Sequence, residues 1–506
     1  MKPVALLSLF GLSASLAVHL PEGSSAAGWI PQTKRFELNA TWGSWAADGV
    51  KRQQTLINGQ FPGPPLILDE GDNVEVTVNN FMPFNTTIHY HGIEQLGSPW
   101  SDGVPGVSQK LIPPGGRFFY AFKVQQHGTY WYHSHSAGQI MDGFYGPIFV
   151  RPREIAENLA GTITNDTLHQ VQIYNAIRSP ILVMLSDWFH QSSEKLRDIS
   201  IKADIDPLDV PPYLFDECTA TNATEEIINV DPLNGWASLN FIGSASISAL
   251  IVSINNHSLW VYEIDGLYIK PTKVDALTIN NGGRYSCLIK LNQLPGNYPI
   301  TVANSGFNQK IAGFASLSYL NGDPSVKSTP SINYGGVSTS KDVISFDETK
   351  IQMLSPSQPK ANPDETYILT AGRIQHAWEW SLNGNHSFSL ALEATKPFLW
   401  DPVAASKSPL VISTKNNTWV DIIFDMSGEK STLQPSHPLH KHSNRVYVLG
   451  SGTGAFNWTS VAEASKAVPE SFNLINPPMR DTFTTLPAYQ GQSWLAVRYH
   501  ANTVFL

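Results

Sequence analysis

Short alternating apolar runs, each closed by a Gly, Pro or Asn turn signal, recur along the chain from Trp29 onward. In a first block, residues 28–152, they are Val50 to Ile57 before Asn58-Gly59, Asn73 to Val78, and Phe118 to Val124, with no amphipathic helix among them. A second block, 168–322, adds Val171 to Tyr174, Ile181 to Ser186, Ser248 to Ile254, Val274 to Ile279 and Tyr285 to Leu291. A third, 363–506, holds Thr366 to Thr370, Ser387 to Leu392, Trp419 to Phe424 and Val446 to Leu449. Between the last two blocks, Asn321 to Pro363 is rich in Ser, Pro, Asn and Asp and reads as an interdomain connection. Strands with one apolar face must bury it against another layer, and without helices that layer is a second sheet. The prediction is an all-β chain of three sandwiches in series, which agrees with 506 residues at roughly 150 per domain.

Charge narrows the function. Thirty-three Lys and Arg against 42 Asp and Glu leave a net charge of −9, which excludes a nucleic-acid binder working by phosphate neutralisation. Lys2, an apolar run from Val4 to Leu16 and a small residue at Ala17 have the layout of a cleaved secretory signal over residues 1–17. Eight Asn-x-Ser/Thr sequons, at Asn39, Asn85, Asn165, Asn222, Asn256, Asn385, Asn416 and Asn457, agree with that route. A secreted glycoprotein of the extracellular space or cell wall is expected, monomeric and with no membrane anchor in view. Two cysteines, Cys218 and Cys287, cannot form a disulfide framework. Cys287 reads as a buried strand residue; Cys218 is either free or paired with it. The abundant Trp reads as sandwich core rather than as a sugar-binding platform.

Histidine spacing carries the chemistry. With 15 histidines in 506 residues, chance places fewer than one His-x-His pair; there are three, His89-Tyr90-His91, His133-Ser134-His135 and His440-Lys441-His442, the last preceded by His437-Pro438. On a strand this spacing puts both rings on one face, whereas in a loop they diverge toward neighbouring metal ions. Imidazole suits Cu, Zn, Fe and Ni. Because the third pair lies some 300 residues from the first two, the site should form between the first and third domains.

The text around these pairs, from HYHGIEQLGSPWSDGVPGVSQ through PGGRFFYAFKVQQHGTYWYHSHSAGQIMDGFYGPIFV to HPLHKHSNRVYVLGSG, resembles the fungal multicopper oxidases, the laccase and ferroxidase group. The resemblance implies three cupredoxin-like Greek-key sandwiches, with a trinuclear copper cluster between the first and third and a type 1 copper in the third. It implies one-electron oxidation of a phenolic or pigment-precursor substrate, coupled to reduction of dioxygen to water. By matching motif, His89 and His440 resemble type 2 copper ligands. His91 and His133 resemble ligands of one type 3 copper, His135 and His442 of the other, and His437 one type 1 histidine.

The chain departs from the family's pattern in its fourth motif, a His-Cys-His triplet. The corresponding segment reads Ser493 to Thr503 and the sequence stops at Leu506, so the type 1 cysteine, the second type 1 histidine and one histidine for each type 3 copper are absent. The expectation is a truncated gene model with an incomplete third sandwich, an open sheet edge, no type 1 copper and little or no turnover. Ser443-Asn444 also replaces the usual Gly after the third motif, and Lys441 between two ligands is unusual.

Two carboxylates are candidates for catalytic roles. Asp102, in Trp100-Ser101-Asp102-Gly103, resembles the acidic residue that assists proton delivery to the cluster, or is a turn former before Gly. Asp187, in Ser186-Asp187-Trp188, resembles the substrate-pocket carboxylate of laccases, or is a strand-end Asp. Thr432 to Ser436, before His437, holds no carboxylate for Fe(II), which tilts the reading from a ferroxidase toward a phenolic donor. A non-catalytic copper-binding glycoprotein is the third reading. Asp142 reads as a structural turn residue, and His127, His190, His257, His386 and His500 as surface or packing histidines.

Overall fold

The computed structural model describes residues 7–8, 15–19, 30–204, 226–306, 311–323, 325–376, 379–382, 386–426, 435–488 and 491–502. Cys218, Asn222, Asn385 and most of the expected leader lie outside these residues. Of that N-terminal stretch, strand Leu7–Ser8 pairs with Ser15–His19, which pairs antiparallel with Ile181–Leu185 of the second sandwich.

The first sandwich has two four-stranded sheets. Thr33–Trp45, Arg52–Ile57, Asn73–Asn80 and Arg117–Lys123 form one; Leu66–Asp69, Ile88–His91, Gly128–Ser134 and Tyr145–Arg151 form the other. Alternation in Asn73–Asn80, whose odd positions face out, buries Val74, Val76 and Val78 between the layers. The second sheet is covered on both faces: every residue of Ile88–His91 and Gly128–Ser134 is buried, one face on the core and the other against the neighbouring sandwiches.

In the second sandwich, Ile181–Leu185, Trp236–Gly243, Arg284–Lys290, Leu259–Ile264 and Leu267–Val274 face a five-stranded sheet across the largest apolar core. Cys287 is fully buried there and unpaired, as a strand residue should be.

The third sandwich is thinner. Six strands, with Ser493–Ala501 between Thr418–Asp425 and Val446–Thr453, face a sheet of only two described strands, Pro438–His440 and Thr482–Thr484. The expected open edge is therefore not at the last described strand, which is paired on both sides. The thin layer is the one that carries His440.

Three readings of local structure are corrected. Val171 to Tyr174 is not a strand but lies in the helix Thr167–Arg178, where Asp166 accepts the Leu168 and His169 amides as N-cap and Ile173, Ala176 and Ile177 are buried at helical spacing. Ser387 to Leu392 likewise gives no strand; its end enters a short helix, Leu390–Glu393. The segment from Asn321 to Pro363 is no free connection, because Ile351 and Met353 insert into the second core and Met353 bridges to Ile269.

Candidate metal centre

Two adjacent strands of the first sandwich bring three of the histidines together. His89 stands opposite His133 in the antiparallel pair Ile88–His91 and Gly128–Ser134, and His91, two residues on, shares its face. His135 follows the strand end, where the backbone leaves the ladder. His440 comes from the short strand Pro438–His440, paired opposite Thr482, and His442 from the turn beyond it. His89 Nε2 lies 3.4 Å from His440 Nε2 across 351 residues of sequence. His91 stacks on His440 at 3.6 Å between ring centroids, and His89 lies 3.9 Å from His442. His135 and His442 are 5.2 Å apart, edge to face. All six clustered histidines of the sequence reading thus meet between the first and third sandwiches.

Hydrogen bonds set which nitrogen each ring offers. The Nδ1–H groups of His89, His133 and His440 donate to the carbonyls of Asp102 (2.7 Å), Ser134 (2.9 Å) and Asp481 (2.9 Å). His442 Nδ1 donates to Asp102 Oδ2 at 2.9 Å. Each of these rings keeps Nε2 as an acceptor. His91 is the reverse: its Nε2 faces Thr482 Oγ1 at 2.9 Å, and Nδ1 turns to His133 Nε2 at 3.4 Å. Fixing one nitrogen by an outer partner is how proteins orient metal-ligating histidine. Burial, reinforced by the neighbouring rings, holds His91, His133 and His440 well below the usual imidazole range and brings His135 to about 3. The rings are therefore neutral, as ligands must be.

Ligand atoms of His89, His91 and His133 lie within 4.8 Å of one another, as do those of His89, His440 and His442, and of His91, His440 and Asp481. Three adjoining three-ligand groups that share members, two all-imidazole and one with the Asp481 carboxylate, fit a cluster of borderline-soft metal ions better than one isolated ion.

Asp102 joins the two halves. Its carbonyl holds His89 and its carboxylate holds His442, so one residue of the first sandwich orients a ring from each side. Burial pushes this carboxyl up, but His442 and His89 outweigh it and keep it ionised, well below the ordinary range. Gly103 next to it has φ +84°, and a Cβ there would run into the Ile88 carbonyl. Asp102 thus stands both at a turn before Gly103 and beside the histidine cluster.

Asp187 has a different occupation from the expected one. It is 3% exposed, with Oδ1 accepting the Ser246 amide at 2.8 Å and Oδ2 those of Ile247 and Ser248 at 2.9 Å. With both oxygens accepting from backbone, it ties down the 246–248 loop. Asp187→Ala leaves three amides, one buried and two part-buried, without their acceptor and is expected to cost about 3 kcal/mol, measured by urea unfolding of the copper-free protein. A change in phenol KM with unchanged stability would restore the substrate reading.

Asp142 is structural, as read: it pairs with Arg52 at 2.6 Å and accepts from Ser193. His190 bonds Asp48, His257 bonds Tyr319, His500 stacks on Trp419, and His386 is exposed. His437 is half-buried; its amide donates to the Thr485 hydroxyl, its carbonyl accepts the Thr485 amide, and its ring meets Trp380 edge-on at 5.3 Å. Cys287, the one cysteine among the described residues, is sealed in the second core, so among those residues no thiolate accompanies His437.

Sequence spacing missed Asp481 and Arg284. Asp481 is 2% exposed and faces His440 Nδ1 at 3.6 Å and His91 Nε2 at 3.8 Å. Arg284, from the second sandwich, grips both its oxygens at 2.5 Å and also reaches the Thr129 carbonyl of the first. Arg480 and Asp265 extend the array at 2.5 Å. Gly282, on the same loop, lies so close to His91 that a Cβ would stand 2.8 Å from Cε1. The second sandwich thereby buttresses a site built from the other two.

Three multicopper oxidase family models match consecutive parts of the chain, residues 39–155, 180–322 and 374–505. The chain is a multicopper oxidase. It is an oxidoreductase with dioxygen as acceptor, and it is built from three cupredoxin-like domains. Laccase abr2 of Aspergillus fumigatus is 39% identical over 93% of this multicopper oxidase and 90% of its own length. Laccase-1 of Emericella nidulans is 32% identical, over 97% and 94%. Among solved structures, the laccase of Botrytis aclada superposes with a TM-score of 0.69 at 24% identity, covering 95% of this chain and 86% of the laccase. Fet3p, described as functioning in iron import, gives 0.69 at 20% identity, covering 93% and 86%. At those identities the two structures speak to the fold alone.

Proposed function

We propose that this multicopper oxidase is of the laccase type, with a phenolic or pigment-precursor donor and dioxygen as its small-molecule partners. The observation that carries the reading is the convergence of six imidazoles from opposite ends of the chain. His89 and His440 would hold a type 2 copper, His91 and His133 one type 3 copper, and His135 and His442 the other. Bound there, the coppers supply the one-electron steps by which dioxygen is reduced to water. The chain's own part is to orient rings and manage protons: Asp102 fixes His89 and His442 and keeps an ionised carboxylate beside them, placed to relay protons. The laccase names of two relatives and the lack of a carboxylate from Thr432 to Ser436 support a phenol over Fe(II).

The residues do not fit a type 1 copper, which needs two histidines and a thiolate. His437 is one candidate ligand without a cysteine beside it, so no step is assigned there. A polypeptide of these 506 residues is expected to bind copper through the cluster, to show no strong blue thiolate band, and to have little or no oxidase turnover. Copper analysis, visible absorption and oxygen uptake check this. A blue band or sustained uptake refutes the missing site, uptake with a phenol then favouring a laccase and uptake selective for Fe(II) a ferroxidase; failure to retain copper overturns the cluster.

The leader-like N-terminus and the sequons support passage through the secretory route. Asn85, Asn165, Asn256, Asn416 and Asn457 are exposed, Asn39 is half-buried, and no described helix is long and apolar enough to cross a membrane.

A further inference from the structure

The second sandwich carries a pocket of about 350 Å³ that the copper chemistry does not use. Its walls include Trp236, Trp260, Lys273, Lys290 and Gln293, and Asn256 stands at its rim. The arrangement is built by strand pairing: Trp236 lies opposite Lys290 and Trp260 opposite Lys273. The two ammonium groups sit 5.8 and 5.9 Å from the indole centroids. Trp236 is 4% exposed and its indole N–H donates to His169, so it forms a floor; Trp260 is half-buried and leaves indole surface to the pocket. No carboxylate lines the pocket, although the chain has a net charge of −9. Indole faces meet the C–H faces of sugar rings, and ammonium and amide groups bond sugar hydroxyls.

Asn256 opens the sequon Asn256-His257-Ser258 at the turn between strands Leu250–Ile254 and Leu259–Ile264. It is exposed with φ +59°, and its Oδ1 accepts the Thr329 amide at 2.9 Å. That bond fixes the amide through its oxygen and not through Nδ2, the nitrogen to which a glycan attaches. We propose that Asn256 is N-glycosylated and that the first sugars of its glycan fold back into the Trp236–Trp260 pocket. The Nδ2–C1 bond forms as the C1–O bond of a lipid diphosphate-linked oligosaccharide breaks; the lipid diphosphate leaves and the amide gives up one proton.

This rests on the secretory reading above, and the test separates the two. The full chain is secreted from a eukaryotic host and digested, natively folded, with an endoglycosidase that cuts between the two core N-acetylglucosamines; glycopeptide mass spectrometry follows each site. Release at Asn256 is expected to be about tenfold slower than at Asn85 and Asn457, the ratio one stacked ring gives. It should equal them after denaturation, and also in folded Trp260→Ala. Lys273→Ala, at an exposed position, should narrow the difference without endangering the fold. An empty Asn256, or one released as fast as occupied Asn85 and Asn457, overturns this inference alone. Absence of glycan at every sequon overturns the secretory reading and this inference with it.

Discussion

Arg284→Met is expected to destabilise the copper-free protein by about 3–5 kcal/mol, the cost of leaving buried carboxylates without their counter-charge. Asp481 loses the guanidinium that bonds both its oxygens, keeping the Thr482 hydroxyl on Oδ1, and Asp265 is left with Arg480 as its one guanidinium partner. All four side chains are at most 4% exposed, so water cannot replace the lost guanidinium without opening the interface of all three sandwiches. Urea unfolding measures the loss. Arg35→Met is the control, since its pair with Glu75 lies in solvent at 71% and 32% side-chain exposure and is worth under about 1 kcal/mol. Copper retention should fall as well, because the Asp481 carbonyl that holds His440 and the Thr482 hydroxyl that faces His91 are positioned by the same clamp. Equal stabilities for the two variants would mean that the array is incidental to the fold.

That clamp also marks the limit of what spacing reveals. The three His-x-His pairs could be read because period two is local: two residues on, the same face, on strands the alternation already predicts. Asp481 and Arg284 lie 197 residues apart, and neither is flanked by ligand-type residues, so nothing short of the folded chain joins them. Asp187 was legible as a carboxylate at the end of a strand. Its work is settled by the amides of residues 246–248, which approach from a loop some 60 positions away. The helix Thr167–Arg178 was missed for a different reason. A four-residue apolar run fits both periods, and the deciding signal was the Asp166 cap before it. That the second sheet of the third sandwich has only two described strands was not legible either, since it depends on the topology that seats Ser493–Ala501 in the other sheet.

Copper should act as a staple between the first and third domains. At free copper 1,000 times its Kd, binding to the folded state alone stabilises by about 4 kcal/mol. The double variant His440→Ala with His442→Ala is expected to lose most of that increment, because it removes every described third-domain ring of the cluster while leaving His89, His91, His133 and His135 in place. Its copper-free stability should change far less: the rings lost are the more exposed members of the cluster, at 16% and 27% for their side chains, and they leave Asp102 with His89 still beside it. The measurement is a pair of thermal or urea melts per variant, with and without copper, together with the number of coppers retained after gel filtration. Asp102→Asn makes a finer cut. It keeps the carbonyl to His89 and replaces only the charged acceptor of His442, so copper affinity should drop by about 10–100-fold with both domains otherwise intact. If the double variant gains the same stability from copper as the parent, the metal is held by the first domain alone, and the shared cluster is not what joins the ends of this chain.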